Sequence, residues 1–106
     1  MPKPPKTYED FIDRFPALGD AWNQLRMATQ DAGPLDERAI ALIKIGIATG
    51  AQREGALHSA VRKALKSGVP QEEIEQVIAA AASTVGLPAT VAAWSWARDE
   101  FRKADR

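Results

Sequence analysis

Apolar residues recur at intervals of three and four positions along most of the chain, which is the spacing of one face of a helix. No stretch alternates between apolar and polar residues as a half-buried strand would. The pattern therefore predicts an all-α protein of about six helices. Glycines and prolines, which commonly end helices, mark the predicted breaks at Pro16, Gly33, Pro34, Gly50, Gly68, Pro70, Gly86 and Pro88.

The predicted organisation is one domain preceded by a short tail. Residues 1–6 are rich in proline and lysine, and we expect them to be extended and poorly ordered. Residues 7–106 are predicted to form a single helical domain, because a chain of 106 residues holds one core of ordinary size. The third helix, over about residues 36–49 with Gly50 as its end, is apolar on nearly every side. It is expected at the centre of the domain or of an oligomer.

The last two helices carry further predictions. The fifth is expected to run without interruption over about residues 71–85, and its small residues 79–82 either widen a cavity or let helices approach closely. The last helix has two apolar faces, one with Trp94 and Phe101 and the other with Ala93 and Trp96. Two apolar faces on one short helix predict that one packs inside the subunit and that the other meets another subunit.

Composition excludes several classes of function. Fourteen basic and fourteen acidic residues leave no net charge, so nothing in the bulk charge favours nucleic acid or an anionic membrane as a partner. The chain has no cysteine, which excludes disulfides and thiol-based redox chemistry. No apolar run has the length of a signal peptide core or a membrane span, and a cytoplasmic protein is the expectation.

The strongest candidates for chemistry are Glu54 and His58, four residues apart in the fourth helix. Helical spacing predicts Glu54 near the centre of the apolar arc that contains Leu57 and Val61, with His58 at its edge. A buried carboxylate needs a partner, and His58 is the nearest one. Structural roles are open for both, because the first turn of a helix favours a carboxylate and a lone histidine on a helix flank often only packs.

A third candidate is Lys44, the one charged residue within the apolar run ALIKIGIATG. Its ammonium group is suited to bind a substrate carboxylate. The alternative is that its long side chain follows apolar surface and places the charge in water.

Glu54 and His58 also have the spacing at which one helix face can chelate a metal ion. Zinc usually takes three or four protein ligands, and this pair supplies two. A metal site would therefore have to be shared between subunits.

The order of the motifs resembles that of the carboxymuconolactone decarboxylase family, which includes the alkylhydroperoxidase D branch. The resemblance covers roughly residues 34–101. It rests on GPLDERAIALIKIGIATG, on Glu54-x-x-x-His58, on ALKSGVPQEEIEQV and on VGLPATVAAWSW. It implies an all-helical, alkylhydroperoxidase D-like subunit that assembles into a trimer or hexamer.

The resemblance also implies which chemistry is retained. The peroxidase branch carries cysteines where this chain has Ala51 and Glu54, and a glutamate where it has Ala39. Thiol peroxidase activity is therefore not expected, because the thiolate is the nucleophile. The decarboxylase branch has instead a glutamate and a histidine at the positions of Glu54 and His58.

Two hypotheses of function follow. The first is a cofactor-free lyase or isomerase for a small carboxylated or carbonyl compound. In this hypothesis His58 moves a proton, Glu54 orients the imidazole or stabilises its charged form, and Lys44 binds the substrate carboxylate. This hypothesis requires no metal. The second is a non-catalytic oligomeric helical module, natural or engineered, that has lost part of the site. Ala39, Ala60 and Gln76 favour it, and related short members often have histidines at the last two of these positions.

Overall fold

The computed structural model describes residues 6–105, and nearly all of them are helical. Its helices are α1 (Lys6–Arg14), α2 (Pro16–Gln30), α3 (Glu37–Ala51), α4 (Glu54–Lys66), α5 (Gln71–Ala80), α6 (Ala82–Val85) and α7 (Leu87–Ala104). No strand occurs within residues 6–105. The predicted all-α class is therefore confirmed, with six longer helices and the single turn α6.

The helices fall into two compact units. One contains α1 and α2, and the other contains α4 to α7 with nearly all of α3. The prediction of a single domain over residues 7–106 stays a prediction. Of the predicted tail, residues 1–5 lie outside the described residues. Lys6 already belongs to α1 and its Nζ lies 2.6 Å from Oδ1 of Asp10, so the tail prediction is wrong at that residue.

The smaller unit is a helical hairpin with little buried apolar surface. The two helices lie close together at Gly19 of α2, where an added Cβ would lie 2.7 Å from Cγ2 of Ile12. Large apolar side chains of this unit are between 42% and 57% exposed: Tyr8, Phe11, Phe15, Leu18, Trp22, Leu25 and Met27. Surface of this size and character is typical of a protein contact.

The larger unit is built around α7, which packs against α4, α5 and α6. Its core consists of Ile45, Ala48, Leu57, Val61, Ala64, Val69, Ile74, Ile78, Ala93, Ala97 and Phe101. Helix α3 contributes to this core along one side only, since Ile43 and Ile47 are 45% and 64% exposed. Helix α3 is therefore not enclosed within the chain, and the alternative expectation, a place at the centre of an oligomer, stays a prediction.

The turn between α3 and α4 differs from its prediction. Helix α3 continues through Gly50 to Ala51, and the chain changes direction at Gln52, which has a φ of 52°. The Gln52 side chain offsets this strained backbone, because Nε2 donates to the carbonyl of Thr49 at 2.8 Å and to that of Ala89 at 3.0 Å. The second bond ties the turn to the first turn of α7.

The predicted fifth helix is interrupted. Helix α5 ends at Ala80, and the amide of Ala81 donates to the carbonyl of Ile78, three residues back, at 3.1 Å. This tighter turn breaks the helical register before α6 begins at Ala82. Residues 79–82 are alanines, so this part of the helix has no large side chain that packs against α7 and stabilises a continuous helix.

The buried face of α7 also differs from the two predicted faces. Thr90, Ala93, Ala97 and Phe101 are buried together within the chain, while the tryptophans of this helix are half-buried. Ala93 is 0% exposed within the chain, so it belongs to the buried face, and the contact of a second face with another subunit stays a prediction. Ala93 lies one turn from both Thr90 and Ala97, which places it on the face that packs against the core.

No helix within residues 6–105 combines the length and the apolar character needed to cross a membrane.

Candidate functional site

The candidate site lies where α4 packs against α7. Leu57, Val61 and Ala64 form the buried stripe of α4, and His58 stands at its edge with 18% of its side chain exposed. Helix α4 begins at Glu54 and ends before Gly68, whose φ of 87° allows Val69 to donate to the carbonyl of Ala64. The C-terminal end of the helix is thus fixed, and the packing of its buried stripe sets the position of His58.

The partner of His58 is Glu100 of α7. Nδ1 of His58 lies 2.5 Å from Oε2 of Glu100, and the Glu100 side chain is fully buried. A carboxylate oxygen can only accept, so the hydrogen of this bond belongs to Nδ1. In the neutral imidazole, Nε2 is then the nitrogen with a free lone pair. The carboxylate therefore selects the tautomer in which Nε2 can take a proton.

Two cations share the same carboxylate oxygen. Nη1 of Arg62 lies 3.4 Å and Nζ of Lys103 lies 3.5 Å from Oε2 of Glu100. Because the Arg62 side chain is only 16% exposed, its charge acts on Glu100 with little screening by water. The other oxygen, Oε1, is buried and accepts no hydrogen bond from residues 6–105. Glu100 is thus a buried carboxylate with three basic groups on one of its oxygens.

Glu54 occupies a different position from the one predicted. It lies in the first turn of α4 as expected, but its side chain is 61% exposed, so its predicted burial in the apolar stripe is wrong. The reason is that α4 starts at Glu54, and its neighbours Arg53, Gly55 and Ala56 are exposed as well. Its Oε2 lies 3.5 Å from Nε2 of His58, which is longer than a good hydrogen bond. Glu54 therefore lies near Nε2 on its solvent side without forming a hydrogen bond to it.

Lys44 is half-buried on α3 and has no hydrogen-bond or ion-pair partner among residues 6–105. No contact joins it to His58, Glu54 or Glu100. The structure brings together two of the three predicted site residues, His58 and Glu54, and does not connect Lys44 to them.

Among residues 6–105, no group of three or more histidine, aspartate or glutamate side chains is placed to hold a metal ion. The hypothesis of a metal site shared between subunits stays a prediction.

Sequence reasoning missed Glu100. It lies 42 positions after His58, and the residue spacing within one helix does not reveal a partner on another helix. A signal was present in α7, where Ala93, Ala97, Glu100 and Phe101 follow the spacing of one buried face. A glutamate within that stripe needs a buried partner for the same reason as was given for Glu54. Glu100 is the glutamate that the structure buries.

Comparisons with known proteins agree with the helical architecture. The model of the carboxymuconolactone decarboxylase family matches residues 16–99. The chain is 28% identical over 95 residues to a 4-carboxymuconolactone decarboxylase from Acinetobacter baylyi, covering 90% of this chain and 64% of that protein. This chain therefore spans slightly less than two thirds of the length of that relative.

A solved structure supports the fold. The apo form of a carboxymuconolactone decarboxylase family protein from Legionella pneumophila superposes with a TM-score of 0.78 and 22% identity. The match covers 94% of this chain and 88% of that one. With the family model matching most of the chain, this protein belongs to the carboxymuconolactone decarboxylase family.

Proposed function

We propose that this protein is a cofactor-free lyase or isomerase of the carboxymuconolactone decarboxylase type, acting on a small carboxylated or carbonyl compound. The observation that carries the proposal is the contact between Nδ1 of His58 and the buried carboxylate of Glu100. A histidine oriented in this way by a carboxylate is a general base and, once protonated, a general acid. Glu100 is a positioning residue in this scheme, and His58 is the catalytic one.

The proposed proton transfers differ for the two reaction types. In an isomerisation, Nε2 of His58 takes a proton from the carbon next to a carbonyl and returns it at a second carbon. In a decarboxylation, the bond between the carboxylate group and its carbon breaks, and the carboxylate group leaves as CO2. The electron pair of that bond stays on the carbon, which then takes the proton from protonated Nε2 of His58. Glu54, between Nε2 and solvent, then delivers a replacement proton from water.

The proposed substrate class follows from the family and from one unpaired cation. The relative from Acinetobacter baylyi is named for 4-carboxymuconolactone, which makes that compound the first one to test. Lys44 is proposed to bind the substrate carboxylate. This role is supported by its half-buried position and its lack of a partner among residues 6–105.

We also propose that the protein acts as a homo-oligomer, a trimer or a hexamer. The proposal is supported by exposed apolar side chains on the larger unit, including Ile47 at 64% and Leu87 at 65%. Light scattering coupled to size-exclusion chromatography tests it, and a monomer at micromolar concentration contradicts it.

The activity is tested with 4-carboxymuconolactone by following CO2 release, and with a panel of small keto and enol acids by following exchange of deuterium from D2O. His58→Ala is expected to abolish both signals while the helical circular dichroism spectrum stays unchanged. Glu72→Gln, an exposed glutamate in the first turn of α5, is the matched control and should keep full activity. Full turnover by His58→Ala would overturn the proposal.

The alternative is the non-catalytic helical module, in which His58 only satisfies a buried carboxylate. It is favoured by Ala60, half-buried against the core, and by exposed Gln76, at positions where related short members often have histidines. The two proposals predict opposite results in the same assay. Absence of exchange and of saturable binding with every compound, together with melting that is insensitive to His58→Ala, supports the module.

A further inference from the structure

Glu75 of α5 is a carboxylate whose partners are all neutral. Its Oε2 accepts a hydrogen bond from Nε1 of Trp94 at 2.7 Å, and its Oε1 accepts one from Nε2 of Gln71 at 3.2 Å. No lysine, arginine or histidine of residues 6–105 forms an ion pair with it. The side chain is half-buried, so its negative charge is held in place and lacks a protein counter-charge.

The side chain of Glu75 lines an apolar cleft between α5 and α7. The cleft has a volume of about 260 Å³ and is lined by Glu75, Ile78, Ala79, Thr90, Val91 and Trp94. Thr90 is the other polar residue of the wall, and its hydroxyl already donates to the carbonyl of Gly86 at 2.9 Å. Ala79 is one of the small residues of α5, so at this position the small side chain widens a cavity. Glu75 is therefore the group in the wall that can select a ligand by its charge.

An apolar cleft with one uncompensated carboxylate and an indole in its wall matches a particular ligand chemistry. A charged donor makes a stronger hydrogen bond to a carboxylate than a neutral donor does. The indole ring attracts cations as well, and the Trp94 ring already holds the guanidinium of Arg98 at 4.4 Å from its centroid. Arg98 does not line the cleft and forms no ion pair with Glu75.

We propose that this cleft binds a small organic ammonium compound, with its charged nitrogen on Glu75 and its apolar body against Ile78, Val91 and Trp94. A compound of the size of phenethylammonium suits the volume. Carboxylated compounds are excluded by repulsion from Glu75, which separates this ligand class from the substrates proposed for the His58 site.

The two sites also differ in position. Trp94 and Glu100 are six residues apart on α7, which places them about 120° apart around the helix axis. His58, Glu54 and Lys44 do not line the cleft. The ammonium site therefore goes beyond the proposed reaction and can be tested without an assay for it.

The test is titration of the full chain with phenethylammonium, 2-phenylethanol and 3-phenylpropionate. These share an aromatic ring and differ in the charge of the polar end. Binding is followed by calorimetry and by the indole Nε1–H resonance of Trp94, assigned with Trp94→Phe. We expect the ammonium to bind at least about tenfold more tightly than the alcohol, because its bond to Glu75 is charge-assisted. The carboxylate is expected to bind more weakly than the alcohol.

Two variants and one control make the test specific. Glu75→Gln keeps an acceptor for Trp94 and removes the charge, so ammonium affinity should fall to that of the alcohol. Ala79→Leu fills the cleft and should weaken binding of both compounds. Glu72→Gln removes an exposed charge from the same helix and should change neither. Equal affinity for ammonium and alcohol, or ammonium binding unaffected by Glu75→Gln, overturns the proposal, as does failure of all three compounds to bind the correctly folded protein.

Discussion

Nδ1 of His58 lies 2.5 Å from Oε2 of Glu100, a buried carboxylate 42 positions later in the chain. This contact joins α4 to α7 and fixes the proton on Nδ1, which leaves Nε2 directed towards Glu54 and solvent. An imidazole held by one buried acceptor has one orientation and one tautomer. A base that must meet a substrate at a single nitrogen requires both.

Replacing Glu100 by glutamine is expected to reduce activity strongly while keeping the fold. The glutamine amide can accept from His58 or donate to it, so the preference for a hydrogen on Nδ1 weakens. We expect turnover to fall by about 10²-fold or more, as for other histidines that lose their orienting carboxylate. The ¹⁵N chemical shifts of the imidazole, measured by NMR, should show a larger fraction of the tautomer protonated at Nε2.

The same variant should be less stable, by about 1–3 kcal/mol in the free energy of unfolding, because the charge-assisted contacts to Glu100 are lost. The control is Glu72→Gln, which removes an exposed carboxylate and should change neither stability nor tautomer. Unchanged turnover with a shifted tautomer would show that the contact does not position a catalytic base.

Replacing Glu54 by glutamine is expected to separate activity from stability. The side chain is 61% exposed, so the free energy of unfolding should change by no more than about 0.5 kcal/mol. If Glu54 carries protons between Nε2 of His58 and water, kcat should fall while KM stays the same. A small diffusible acid such as imidazole buffer should restore part of the rate, which it would not do if Glu54 only stabilised the start of α4.

The contrast between Glu54 and Glu100 shows how far a sequence predicts such a site. Helical spacing correctly placed His58 at the edge of a buried stripe, because that depends only on residues within one turn. The same spacing placed Glu54 in the core, since it describes the angle around the axis and ignores that the first turn of α4 is uncovered. The partner from α7 depends on which helices pack together, and one helix alone does not contain that information.

The ends of the helices were also predictable only in part. Gly68, with a φ of 87°, ends α4 as expected, because glycine adopts this conformation with little cost. Gly50 fitted the same rule but lies inside α3, and Gln52 takes the left-handed conformation in its place. The side-chain Nε2 of Gln52 donates to the carbonyls of Thr49 and Ala89, and the bond to Ala89 is a tertiary interaction that outweighs local preference.

Lys44 tests the proposed substrate class directly. Lys44→Gln is expected to raise KM for carboxylated substrates by about tenfold with little change in kcat, because a binding interaction is lost that the reacting atoms do not share. Lys44→Arg should keep most of the affinity. Lys66→Gln, an exposed lysine in the last turn of α4, is the control. Equal KM values for all four proteins would remove Lys44 from the site and leave its side chain in a solvating role.

Two glycines of the α4 region make a matched test of backbone conformation. A Cβ added at Gly55 or at Gly68 meets nothing within 4 Å, so an alanine at either position adds no contact. Gly55 is helical, and Gly55→Ala should stabilise the protein by about 0.5 kcal/mol, since alanine loses less freedom on folding. Gly68 has a φ of 87°, so Gly68→Ala should destabilise it by about 1–2 kcal/mol. Urea denaturation measures the free energy of unfolding of both variants. A change of the same sign in the two would show that the left-handed conformation of Gly68 is not what ends α4.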